Sequence, residues 1–399
     1  MALKTLAILS DEDLIRSDRT SSMAIRQRFL ANLLSKIFNV SLVTSFGKHQ
    51  EKKLSNIKIM GGVGNLHSLS KEKFDAVIIG LATNKDSIYY KYSKLKPKSP
   101  IIVDMYYAII FEKLITLENS WSGNRIFNEK LKVLDKILGS GDHFICATSQ
   151  QKDYLLGMLS SIGCINTSNF SEELVSIAPT VIDTTFKENK VKKLRSGSQF
   201  DKNDKIVLWL GGIYPWFDPC PLIEAMPQVI RNTKNTKLLI LGGKHPNIEY
   251  KSFYDKALVL VQKSGLLGKS IIFMDWVDEK QSYAYIKEVD LNVILSQQTL
   301  EDKYAFRTRI LAPTLLGIPS ITNGSDYISS LIKKHGAGVV LNSTDPTNIA
   351  AAINGFFRLQ DEKRKIISVK KVISEIKSST DLKNLINFVE RRQNIKETH

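Results

Sequence analysis

The chain is predicted to be an α/β protein made of two doubly wound domains in succession, facing each other across a central cleft. Three observations lead there. Short apolar runs alternate with segments of helical period from end to end, the pattern of parallel strands covered by helices. A polar stretch rich in Lys, Ser, Asn and Asp, residues 187–204, interrupts that alternation near the middle. The 399 residues, 43% of them hydrophobic, suffice for two cores, whereas a single core seldom grows beyond roughly 250 residues.

In the first half the strands are expected at residues 5–9, 40–44, 76–79, 101–104 and 143–147. Between the first two, residues 23–38 place Ile25, Phe29, Leu33, Leu34 and Ile37 on one helical face. The second series has strands at 206–210, 237–241, 270–273, 291–295, 320–322 and 338–341, with helices at 221–231, 253–264, 281–288 and 305–316. This sets the first domain at 1–190, a linker at 191–204 and the second domain at 205–380. A last helix within 381–399 is placed to pack back on the first domain.

Composition narrows the class. The apolar runs are far shorter than the ~20 residues of a membrane-spanning helix. Residues 1–9 read as a first strand, because Asp11, Glu12 and Asp13 follow at once and a basic start is lacking. Three cysteines without CxxC spacing argue against a disulfide framework or structural zinc and fit a reducing cytoplasm. The six histidines show no HExxH or HxH pairing, so no catalytic metal is expected.

The formal charge of +16 suits an anionic partner. Basic residues are spread along the chain rather than massed in one block, and no nucleic-acid partner is expected. Lys85, Lys91, Lys94, Lys96 and Lys98 do cluster around Tyr89, Tyr90 and Tyr92. That stretch reads either as a solvated face or as a docking patch for an anionic membrane, which would put the protein at the inner face of the plasma membrane.

In doubly wound sheets ligands bind beyond the carboxyl ends of the strands, so the residues after each strand matter most. Strand 206–210 runs into Gly211 and Gly212, then Tyr214, Trp216 and Phe217. Glycines let backbone amides approach a phosphate, and a helix N-terminus adds roughly half a positive charge. A plain tight turn explains two adjacent glycines equally well. Strand 237–241 runs into Gly242, Gly243, Lys244 and His245. After strand 291–295 come Glu301, Phe306, Arg307, Thr308 and Arg309 at a helix start. Cations there oppose the helix dipole, and a bound diphosphate would relieve the conflict.

Residues 211–225, 242–246, 273–277 and 301–319, with Gly336 and Gly338, resemble the donor domain of bacterial GT-B glycosyltransferases of the retaining, group 1 type used in polysaccharide and cell-wall assembly. Residues 23–26, 104–112 and 146–163 resemble that family's acceptor domain. The resemblance implies two Rossmann-like domains and transfer from a nucleotide-sugar donor to a glycan or lipid-linked acceptor. The nucleotide sugar is then a substrate, and no cofactor is expected.

The chain departs from the family pattern in two places. Where many members carry an Arg and a Lys in the first donor-domain loop, the alignment puts Gly212 and Phe217. Where many carry two glutamates with seven residues between them, it puts Tyr304 and Ala312, with Glu301 near but out of register. The donor site implied is therefore built from Gly211, Gly212, Lys244, His245, Glu301, Phe306, Arg307, Thr308 and Arg309, or is partly decayed.

Asp104, at the carboxyl end of a strand, is the first candidate for a catalytic carboxylate, with a turn or cap role as the alternative. Glu112, eight residues on, is the second; a solvent-facing helix position explains it equally well. Asp11 and Asp13 with Arg16 and Arg19 read as a polar loop. Two other functions stay open: a catalytically degenerate subunit that binds a partner, and a nucleotide-sugar epimerase. A Rossmann dehydrogenase is excluded, because Gly61, Gly62 and Gly64 lack the third glycine of GxGxxG.

Overall fold

The computed structural model describes residues 3–14, 21–44, 46, 51–54, 57–61, 66–184, 187, 190–197, 199–244, 251–358 and 362–391, with the side chains of 51–54 and 362–367 left aside. Two compact units make up the chain: Met1–Val181 with Lys377–His399, and Ile182–Ile376. The division after Val181 precedes the polar stretch expected as a linker. That stretch belongs to the second unit, where Leu194 is buried and the amides of Leu194 and Arg195 each donate to the Glu288 carboxylate at 3.0 Å.

The first unit runs β1 (Thr5–Ser10), α1 (Ser22–Leu34), β2 (Asn39–Thr44), β3 (Glu51–Leu54), β4 (Ile57–Met60), α2 (Leu66–Lys71), β5 (Ala76–Gly80), α3 (Ile88–Lys94), β6 (Ile101–Met105), α4 (Ile109–Thr116), α5 (Trp121–Leu138), β7 (His143–Cys146), α6 (Ser149–Ser161) and β8 (Val175–Ile177). The sheet order is β3-β4-β2-β1-β5-β6-β7-β8, parallel except for the β3/β4 pair. β1 pairs with β2 on one side and β5 on the other, so the topological switch lies between β1 and β5.

Helices cover both faces of this sheet, which is why its central strands are apolar throughout rather than alternating. Leu6 and Ile8 of β1 join Ile78, Ile102 and Leu30 in one core, while Ala7 and Leu9 join Val77, Val103, Leu134 and Ile137 in the other. The Ser21 hydroxyl caps α1 by accepting the Ala24 amide at 3.0 Å.

The second unit continues with β9 (Lys205–Leu210), α7 (Cys220–Asn232), β10 (Thr236–Leu241), α8 (Lys251–Ser264), β11 (Ile271–Met274), α9 (Glu279–Ile286), β12 (Leu291–Ile294), α10 (Leu300–Tyr304), α11 (Thr308–Leu315), β13 (Ser320–Thr322), α12 (Tyr327–His335), β14 (Gly338–Val340), α13 (Pro346–Arg358) and α14 (Glu362–Ser378). Its all-parallel sheet is ordered β11-β10-β9-β12-β13-β14, with the switch between β9 and β12. The C-terminal segment returns to the first unit, where α15 (Lys383–Arg391) buries Leu385 and Val389 in the core beside α1. The Leu385 amide donates to Ser176 Oγ at 3.1 Å, and the His143 ring stacks on Phe388.

Three details differ from the sequence expectations. β3, β4 and β8 were not foreseen; each has only three or four residues. The helix expected at 305–316 is two helices, with residues 305–307 non-helical between α10 and α11. In the Lys–Tyr stretch, Tyr89 and Tyr92 are buried in the core rather than offered to a surface, Tyr90 is half-buried with the Lys94 ammonium 5.7 Å from its ring centroid, and Lys85, Lys91 and Lys98 are exposed, with Lys94 and Lys96 at least partly so. Among the described residues, no helix is long and apolar enough to cross a membrane.

Candidate functional site

The turn after β9 is held by its neighbours. Gly211 N donates to Leu241 O at 2.8 Å, Ile213 N to Gly243 O at 3.0 Å, and Gly242 N to Met274 O at 2.9 Å. The amides on either side of Gly212 are thus engaged with the β10 turn, which corrects the expectation that they point at a phosphate. Gly211 (φ +88°) and Gly242 (φ +77°) are left-handed, and a Cβ on Gly242 would stand 3.7 Å from Gly211 Cα. Trp276 Nε1 donates to Lys244 O at 2.6 Å, fixing the backbone of an exposed lysine beside these turns. His245 lies outside the described residues, as do Arg16 and Arg19.

Arg309, in the first turn of α11, reaches across the β9/β12 switch point. Its Nη1 donates to Gly212 O at 2.6 Å, and its Cζ lies 4.1 Å from the Phe217 ring centroid and 4.6 Å from that of Tyr214. Tyr214 in turn stacks on Trp216 at 5.2 Å. A Cβ on Gly211 would stand 3.1 Å from Arg309 Cζ and press on the guanidinium, and the left-handed φ of Gly211 itself favours glycine. Burial lowers the Arg309 pKa to about 10, with Tyr214 opposing and Arg307 reinforcing the shift; the group stays charged at neutral pH.

Arg307 does something else. It is the residue before α11, buried, with Nη1 and Nη2 donating to the two Glu301 oxygens at 2.9 and 2.6 Å and Nη2 also to Asp302 Oδ1 at 3.1 Å. Burial works against its charge, but the Glu301 and Asp302 carboxylates more than offset this and raise its pKa. The conflict with the helix dipole is therefore relieved inside the protein, correcting the inference that Arg307 needs a diphosphate. Both carboxylate oxygens of Glu301, expected in the donor site, are engaged by Arg307. Phe306 is buried and stacks on Tyr327, and Thr308 is half-buried at the first residue of α11.

Further residues complete this region. Asp302 accepts from Ser296 Oγ at 2.7 Å and Ser325 Oγ at 2.8 Å, tying the loop after β12 to the loop after β13. Asp326 caps α12 through the Ile328 and Ser329 amides; burial raises its pKa to about 6, with Arg307 opposing and Asp302 adding to the shift. The only local hint in the sequence was the run Tyr214, Trp216, Phe217 after a glycine turn, a ready platform for a guanidinium.

Asp104 and Glu112 belong to the first unit. Asp104 is buried at the end of β6 and clamped by Arg26 of α1: Nε to Oδ2 at 3.0 Å and Nη2 to Oδ1 at 2.7 Å. Arg26 Nη1 also donates to the Ala178 carbonyl and to Thr180 Oγ1, so the pair fastens α1, β6 and the segment after β8. So engaged, Asp104 anchors these elements to one another, with both of its oxygens taken by Arg26. Glu112 is half-buried in the first turn of α4, favourable for a carboxylate near a helix N-terminus. Burial, and then the Glu112 charge, push the Tyr107 pKa well up. Asp11 caps α3, accepting from the Ile88 amide at 2.9 Å and from the Ser87 hydroxyl. Among the described residues no group of three His, Cys, Asp or Glu side chains could hold a metal.

Residues 190–371 match the family model Glycosyl transferases group 1. This domain, in a chain of this fold, indicates a glycosyltransferase. No curated protein matches the chain in sequence. Among solved structures it is similar to a sucrose-phosphate synthase from Thermosynechococcus elongatus, at 14% identity and TM-score 0.67 over 99% of this chain and 98% of that one. An α,α-trehalose 6-phosphate synthase from Burkholderia multivorans is 8% identical with a TM-score of 0.65, and Anabaena HepE in complex with UDP is 11% identical with a TM-score of 0.60. Both alignments cover 100% of each chain. At such identities the likeness shows the fold, the two-domain α/β arrangement called GT-B.

Proposed function

We propose that the chain transfers a sugar from a nucleotide-sugar donor to a glycan or lipid-linked acceptor, as the retaining enzymes of polysaccharide and cell-surface glycan assembly do. The observation that carries this reading is the guanidinium of Arg309 on Gly212 and Phe217, within the domain matched to glycosyltransferases. Those two positions are the ones at which the family resemblance expects a cation. α11 thus brings a positive charge to the place where the loop lacks its own.

A leaving nucleoside diphosphate gains negative charge as the bond from its oxygen to the sugar breaks. A cation held beside it stabilises the transition state more than the ground state. Arg309 holds that position, with the exposed Lys244 as a second cation on the adjoining turn. The nucleotide sugar is a substrate in this reading, and no resident cofactor takes part. Three free cysteines go with a cytoplasmic site of action, next to the inner face of the membrane if the acceptor is lipid-linked. UDP is present in the HepE complex and UDP-2-fluoro glucose in that of an E. coli relative in fold, which makes UDP sugars the first donors to try.

The test is a thermal-shift screen against UDP, GDP, dTDP and CMP sugars, followed by donor hydrolysis without acceptor. Stabilisation by one sugar nucleotide and slow release of its sugar support the proposal. Stabilisation without release, with any candidate acceptor, would leave a nucleotide-binding subunit instead.

A further inference from the structure

We propose that a cavity of the first unit, between the loop after β5 and the outer face of α5, binds a phosphate-bearing ligand, the acceptor of the reaction proposed above. The ligand's role rests on that reading; its binding does not. The cavity measures about 420 Å³ and is lined by Thr83 and Lys85 from the loop and by Arg125, Ile126, Glu129 and Lys130 from α5. None of these residues takes part in the donor region of the second unit.

Its place in the fold is that of a ligand site. Thr83 follows β5, one of the two strands at the switch point of this sheet. α5 connects β6 to the parallel β7, so its first half lies at the carboxyl ends of the strands, where doubly wound sheets bind ligands. Arg125, Glu129 and Ile126, Lys130 repeat at a spacing of four and so share one helix face.

Its chemistry selects an anion. Lys85, Arg125 and Lys130 stand against the single acid Glu129, which leaves two net positive charges around the opening. Glu129 pairs closely with Lys132 Nζ at 2.7 Å through one oxygen, and more loosely with Lys85 Nζ at 3.9 Å through the other. A guanidinium fork, two ammonium groups and a hydroxyl suit a phosphate ester, whose oxygens accept from several directions at once. The volume is that of a small-molecule site rather than an extended polyanion track.

The rim adds an apolar component. Trp121 is 76% exposed with the Arg125 guanidinium 5.4 Å over its ring, and Ile126 is 44% exposed. Such a rim accommodates either a sugar ring stacked on the indole or the first carbons of a lipid. The shared chemistry is the phosphate; a free sugar phosphate and a lipid headgroup are its two sources.

The experiment is calorimetry of the full chain with inorganic pyrophosphate, with a hexose 6-phosphate, and with phosphatidylglycerol vesicles against phosphatidylcholine ones. Arg125→Ala and Lys130→Ala should each weaken binding about fivefold, and Glu129→Gln should tighten it by a similar factor. Circular dichroism should be unchanged, because these side chains lie at the surface. Heat with the hexose phosphate assigns the free ligand, and heat with phosphatidylglycerol alone assigns the headgroup. No heat with any probe overturns the proposal. So does binding that ignores all three substitutions and disappears in Arg309→Ala, since the anion is then in the donor region. Donor hydrolysis on the same preparations separates the two readings: hydrolysis without phosphate binding sinks the cavity alone, and phosphate binding without hydrolysis sinks the transfer reading alone.

Discussion

Arg309 donates to the Gly212 carbonyl at 2.6 Å while its guanidinium lies 4.1 Å from the ring centroid of Phe217. One side chain of α11 therefore meets both positions of the β9 loop where the glycosyltransferase resemblance expects an Arg and a Lys. A charge delivered from a helix start is aimed more rigidly than one on a loop, because hydrogen bond and aromatic stack leave few rotamers open.

Arg309→Ala should accordingly lower kcat by about 10²-fold, the effect typical of removing one preorganised donor to a developing negative charge. Donor affinity should fall much less, since the contact strengthens as the bond breaks. Arg309→Lys keeps a charge but loses the fork and the stack, so it should fall between the two. The check is steady-state kinetics with the donor found by the screen, beside its Kd from calorimetry. Equal losses in kcat and affinity would reduce Arg309 to ordinary ground-state binding.

Arg307, two residues away, should behave oppositely. Its removal leaves Glu301 and Asp302 buried without their cation, and losing one partner of a buried ion pair costs about 3–5 kcal/mol. Arg307→Ala should lower the midpoint of urea unfolding, with kcat per folded molecule near wild type. A kcat collapse in protein that unfolds normally would return Arg307 to the donor site.

The contrast between these arginines marks where sequence reading stops. Central strands such as β5 and β6 are legible because they are apolar on both faces, and the glycine turn is legible because it follows one of them. β3 is an edge strand whose Lys52 and Lys53 hide it, and β8 has only three residues. The break between α10 and α11 is masked because Ala305 and Phe306 continue the apolar pattern across it. Arg26 and Asp104 were both noticed, but they stand 78 residues apart, and no local pattern pairs a cation with an acid over that span. Spatial partnership decides whether a charge is structural or available for chemistry, and that is the part a single sequence leaves open.

The Arg26–Asp104 pair gives a direct test of that distinction. Asp104→Asn or Arg26→Met alone should destabilise the first unit by about 3–5 kcal/mol, since each leaves a buried partner unmatched. The double variant Arg26→Met with Asp104→Leu replaces both charges by apolar groups and should recover much of that loss. It should also retain sugar transfer. A double variant that is stable but inactive would restore Asp104 to the chemistry.

His143 sets a pH limit on the docking of α15. Its ring is buried, stacked at 5.1 Å on Phe388 of that helix, and its Nε2 lies 3.0 Å from Ser176 Oγ, which also accepts the Leu385 amide. Burial lowers its pKa from the ordinary 6.5 to about 4. Between those values the unfolded segment binds a proton that the folded one refuses, so stability is present in full above pH 6.5 and falls as pH drops through the window. The loss approaches about 3 kcal/mol near pH 4, taking about 1.4 kcal/mol for each pKa unit. Hydrogen exchange over residues 383–391, corrected for the intrinsic effect of pH, should show protection falling from pH 7 to pH 4.5 while β9 to β12 hold theirs. His143→Phe keeps an aromatic ring on Phe388 but cannot titrate, and its α15 protection should stay level over the same range. If both proteins lose protection in parallel, some other group governs the acid release of the helix.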